Sequence, residues 1–143
     1  MNKIGAKFLP FMLISGLGCG QKGSETYPVH GKVVLEDGSA VTAGFIEFEA
    51  MEGPWRGRNA RGAIQPDGSF RLSTKGLGDG AVAGLHRAIV RSPYPTASQA
   101  EQSDFGVDQI DPRFGTYGES GLEFRVEEKD NSFEIEVARY QRQ

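Results

Sequence analysis

Apolar and polar residues alternate over short runs along this chain, and Gly, Pro, Asp or Asn closes each run. A period of two belongs to a strand with one buried face. In Tyr27–Glu36, Val29, Gly31, Val33 and Leu35 share one face, and His30, Lys32, Val34 and Glu36 the other. In Gly44–Ala50, Ile46 and Phe48 point inward and Glu47 and Glu49 outward. Phe45 falls on the outer face by parity, where it covers an edge or meets a partner. The stretch Arg61–Thr74 organises the rest: two short strands flank Asp67-Gly68, a dipeptide suited to a tight hairpin turn. Leu85–Arg91 places His86, Ala88 and Val90 together. Gly121–Glu127 and Ser132–Ala138 alternate most regularly, with Glu128–Asn131 as their predicted hairpin turn. Seven runs without a helical period predict an all-β fold, a seven-stranded antiparallel β-sandwich of two sheets. Parity puts Phe48, Phe70, Phe124 and Phe133 in its core.

Composition agrees. The chain has 143 residues, 38% of them hydrophobic, with 20 glycines and seven prolines, enough for one domain rich in turns. A net charge of −3 and a pI near 5.4 exclude nucleic acid as a partner, because phosphates need a basic face. The loop Met51–Ala60 holds the single tryptophan, Trp55, between Pro54 and Arg56. Trp55 either folds back over the end of the sandwich, the expected case, or offers an amphipathic contact. Ser92–Ser120 is a 29-residue connection carrying Tyr94, Phe105, Ile110, Phe114 and Tyr117. That many large side chains predict packing of part of the loop on the sandwich, across one sheet and over a hydrophobic edge. Exposed Tyr94 and Tyr117 near its two ends, with Trp55, make the candidate partner-contact residues.

The N-terminus stands apart. Lys3 and Lys7 precede the apolar run Phe8–Ile14, then small residues lead to the only cysteine, Cys19. This is the layout of a secretory signal, too short to stay across a bilayer. The cysteine's setting resembles the lipobox of bacterial lipoproteins, with Gly18 matching and Gly16 departing from the usual Leu. The reading is a signal peptide at 1–18, lipid attachment at Cys19, a polar tether over 19–26 and a domain over 27–143. Cleavage leaves 14 basic and 19 acidic residues, a formal charge of −5.

Val29-His30-Gly31-Lys32-Val33, Asp67-Gly68-Ser69-Phe70, Gly84-Leu85-His86-Arg87-Ala88-Ile89-Val90, Ser120-Gly121-Leu122 and Phe133-Glu134-Ile135 resemble, in order and spacing, the small carboxypeptidase regulatory-like domains. Ile110-Asp111-Pro112-Arg113-Phe114-Gly115 is similar to that family's Ile-Pro-x-Lys-Tyr stretch. The resemblance implies a transthyretin-like (prealbumin-type) sandwich of a kind found in bacterial lipoproteins, notably of planctomycetes. It implies a non-catalytic structural or binding module of the cell envelope, exported and lipid-anchored to a membrane. A partner is then an envelope protein or polysaccharide. The alternative is a hydrolase or metalloenzyme on the same fold. Hydroxyisourate hydrolases end in Tyr-Arg-Gly-Ser, whereas this chain ends Tyr140-Gln141-Arg142-Gln143. Intradiol dioxygenases hold iron with two Tyr and two His, and here His30 and His86 are 56 residues apart on separate strands. Glu47/Glu49 and Glu134/Glu136 read as solvated faces rather than acid–base pairs. The expectation is no enzyme, no catalytic or metal residues and no cofactor.

Overall fold

The computed structural model describes residues 25–91, 93 and 110–141. The expected signal peptide at 1–18 and lipid-attachment residue Cys19, with Tyr94 and Phe105, lie outside the described residues. The strands are β1 (Thr26–Tyr27), β2 (Val29–Leu35), β3 (Phe45–Ala50), β4 (Asn59–Ala63), β5 (Ser69–Arg71), β6 (Ala81–Val82), β7 (Gly84–Arg91), β8 (Leu122–Val126) and β9 (Asn131–Val137). One sheet has the order β5-β2-β9 and the other β4-β3-β7-β8, with β1-β6 as a small ribbon. The seven expected strands form the two sheets. The ribbon was not anticipated, and it places Thr26, read as tether, inside the fold. Pro28, which has no N–H, separates β1 from β2.

The core lies between the sheets. Val29, Val33, Leu35, Phe70, Leu72, Ile135 and Val137 come from one side, and Ile46, Phe48, Ala88, Val90 and Val126 from the other. Phe48 and Phe70 are buried as expected; Phe124 and Phe133 have the right parity and pack against the core but are only partly buried. They stand on edge strands of opposite sheets, their rings 5.0 Å apart at the margin of the sandwich.

Both expected hairpins are corrected. β4 pairs with β3, and β5 pairs with β2, so the arms of the Asp67-Gly68 turn belong to different sheets. The turn itself is as read: the Gln65 and Ser69 backbones close it, Gly68 has φ +84°, and Asp67 accepts from the Ser69 N–H and hydroxyl. Asp37-Gly38-Ser39 repeats that geometry after β2. β8 and β9 likewise face each other across the core instead of pairing, and residues 127–130 arch between the sheets. Asn131, buried at the arch, donates to the Pro28, Glu127 and Lys129 carbonyls and accepts from the Glu127 N–H. Those bonds replace the cross-strand pair that a hairpin would need. Pairing is antiparallel throughout the two sheets except at β2 and β9, which run parallel from Val29/Asn131 to Leu35/Val137. A strand reaching the second sheet through an arch enters in the direction that its crossing dictates.

The described part of the long connection packs as expected. Ile110 bridges to Arg139, and the 3-10 helix Pro112–Gly115 buries Phe114 against the core. Asp111 caps that helix through the Arg113 N–H.

Candidate functional site

The two sheets meet along β4 and β5. Arg61 and Ser73 exchange both backbone hydrogen bonds, at 3.0 and 2.9 Å. Between that bridge and the turn, Gly62 lies against the Arg71 carbonyl so closely that a Cβ would fall on it. The glycine lets two edges of different sheets adjoin, and their outer surfaces meet at an angle. The result is a groove of about 920 Å³ along the corner. Phe45, 46% exposed, forms one flank, opposite Ala63, whose small side chain leaves the ring uncovered. His30 and Arg71, neighbours across β2 and β5, form the other flank, and Arg61 lies between them. Among the described residues no acidic side chain lines it.

Leu77 closes one end of the groove and is fully exposed. Its loop is rigidly held. Asp79 accepts from the Thr74, Lys75 and Gly76 N–H groups at 2.7, 3.1 and 2.9 Å, and the Ser73 hydroxyl accepts from Gly78. Burial alone would raise the Asp79 pKa, but the three N–H donors outweigh it and hold the carboxyl below its ordinary range. Alternation along the chain does not single out Leu77, Arg61 or Arg71. A large apolar residue isolated between Gly76 and Gly78 in a turn segment was the available signal, since such a side chain has no strand face to join.

The candidate contact residues are dispersed. Tyr117 is half-buried rather than exposed: its hydroxyl donates to Glu47 at 2.8 Å, and the Arg87 guanidinium lies 4.8 Å from its ring centre. Burial and then the Glu47 contact push its pKa far above the usual phenol value. Trp55 is half-buried at the β3–β4 loop with Arg58 stacked 5.1 Å away, in keeping with a folded-back ring. Among the described residues no ring pair joins Trp55 to Tyr117.

Glu47 and Glu49 are not the solvated face that alternation suggested. Glu47, with only 14% of its side chain exposed, accepts from Arg61 as well as Tyr117 and Asn59, and Glu49 pairs with Arg87. The segment 112–120 crosses this face and partly covers it. The two histidines belong to different layers. His30 sits on the outer face of β2 and meets Asp130 at 2.9 Å. His86 is 1% exposed inside the sandwich, with Phe48 at 5.9 Å. Among the described residues no group of three His, Cys, Asp or Glu is placed to hold a metal. Comparison with protein-family models and with curated proteins finds no match to the chain.

Proposed function

We propose that this protein is exported, acylated at Cys19 and held in the cell envelope, where its sandwich serves as a non-catalytic binding module like the carboxypeptidase regulatory-like domains. The lone cysteine behind a basic and apolar leader supports the anchor, and stable attachment by this route needs more than one acyl chain. The observation that carries the binding role is the corner groove. Two exposed apolar side chains, Phe45 and Leu77, flank Arg61, Arg71 and His30 on a chain that is acidic as a whole. A surface that joins apolar contact to the guanidinium donors of Arg61 and Arg71 suits an envelope protein or an acidic polysaccharide.

Mass spectrometry of the mature N-terminus tests the anchor, and an unmodified Cys19 refutes it. A photo-crosslinking amino acid at position 45, in cells of the native source, tests the groove. A discrete adduct from position 45, absent from position 136 on the far edge of the other sheet, is the expected result. Equal labelling from both positions removes the groove as the binding surface.

A further inference from the structure

We infer that the end of the sandwich at which the chain enters docks on the membrane surface, with Leu77 and Trp55 seated in the headgroup layer; this rests on the acyl anchor proposed at Cys19. Strand directions define that end. β3 finishes there at Ala50 and β4 begins at Asn59; β7 begins at Gly84, opposite the last residue of β8, Val126. β2 and β9 begin there side by side at Val29 and Asn131, and β5 finishes at Arg71 beside His30. The loops 51–58 and 72–80 and the arch 127–130 therefore open from one end. The ribbon of Thr26–Tyr27 with Ala81–Val82 lies at the same end. Cys19 is six positions before Glu25, so fully extended chain reaches about 20 Å. An anchored Cys19 holds this end near the bilayer, and the Asp-Gly-Ser turns lie at the other.

One loop of this end carries an exposed apolar tip, Leu77, and another a half-buried tryptophan, Trp55. Leu77 is fully exposed, and the clamp on Asp79 holds its loop in that shape. Trp55 is an amphipathic ring with Arg58 across its face, the kind of side chain that settles at a membrane–water boundary. Arg56, Arg58 and Lys75 stand beside the two tips in sequence. Most acidic groups of this end have partners: Glu52 with Arg125, Glu127 with Lys129, Asp130 with His30 and Asp79 with backbone N–H groups. Glu25 and Glu128 flank Tyr27 and offset the basic residues. Docking therefore draws more on burial of Leu77 and Trp55 than on lipid charge.

Trp55 is the chain's single tryptophan and reports on its own position. The acylated protein, its modification verified by mass spectrometry, is reconstituted into phosphatidylcholine/phosphatidylglycerol vesicles containing lipid brominated near the headgroups. Trp55 emission is expected to shift to the blue and be quenched. Leu77→Ser, at an exposed tip that the fold does not need, lowers the docked-to-undocked ratio by about tenfold or more. Tyr140→Ser, exposed at the opposite end beyond the Leu35/Val137 pair, leaves the quenching unchanged. An acylated protein whose Trp55 stays unquenched, or an equal response to Leu77→Ser and Tyr140→Ser, overturns the docking and leaves this end to face a protein or glycan. Absence of an acyl group on Cys19 instead removes the anchor, and the docking with it.

Discussion

The clearest quantitative consequence of the fold concerns His86. Its Nδ1 lies 3.1 Å from the Gly84 carbonyl, which can only accept, so the neutral ring carries its proton there. Nε2 is buried and has no hydrogen-bond partner among the described residues. Burial lowers the His86 pKa, opposed in part by the Gly84 carbonyl and the Glu52 carboxylate. The sign follows from linkage. A base whose folded pKa is depressed takes up its proton more readily when unfolded, so stability is lost as pH falls through the unfolded value of about 6.5. Lowering pH from 7.5 to 5.5 removes at most about 1.4 kcal/mol, the limit reached by a ring that stays neutral in the fold over the whole window. The carboxylates with depressed pKa values, Asp37, Glu52, Asp67, Asp79 and Glu127, contribute stability that is lost only at lower pH. The assay is the urea midpoint across this window for the parent and for His86→Phe, which keeps a ring against Phe48 and removes the titrating group. The parent curve should fall by up to about 1.4 kcal/mol more than that of the variant. Parallel curves would refute the assignment of the buried neutral imidazole.

Three further outcomes follow from the packing. Gly31→Ala places a Cβ on the Phe133 carbonyl, and backbone must move, so we expect a loss of about 3 kcal/mol or more in chemical denaturation. Asp79→Asn offers one acceptor where Thr74, Lys75 and Gly76 supply donors on both oxygens; a loss of about 1–2 kcal/mol and faster hydrogen exchange at those three amides should result. Glu47→Gln removes the charge beneath the Tyr117 hydroxyl, so ultraviolet titration should show the phenol pKa falling while burial keeps it above the usual value. An unchanged phenol titration would show that Glu47 does not contribute.

How much of this was readable in the chain depends on what alternation encodes. It assigns a face, and the faces of Ile46, Phe48, Phe70, Leu72, His86 and Ile135 are all as the pattern has them. It does not assign a neighbour. Asp67-Gly68 makes the tight turn it promises, yet which sheet receives each arm is set by where β2 and β3 already lie, two strands with no sequence link to the choice. The arch at 127–130 misled for a related reason. Glu128–Asn131 has hairpin composition, but Asn131 turns inward and spends its amide on three carbonyls, one of them Pro28, about a hundred residues away. Glu47 and Glu49 sit at outward parity, and nothing in β3 announces that residues 112–120 will cover them.

The groove was illegible for a deeper reason. Its flanks come from β2, β3, β4, β5 and the loop after it, and none of these segments carries the site alone. Gly62 reads locally as a weak point in a strand; only its approach to Arg71 shows it as the joint between two sheets. Arg61 reads as a solvent-facing partner for a carboxylate, and it does hold Glu47 while also lining the corner. The entry end has the same character. Val82 is unremarkable until it pairs with Thr26, and that pairing fixes where the chain enters relative to Leu77 and Trp55. An anchor of the kind proposed at Cys19 would gain an orientation only from contacts made sixty residues later. For a tethered domain, then, which end faces the bilayer is a property of strand direction and not of the tether.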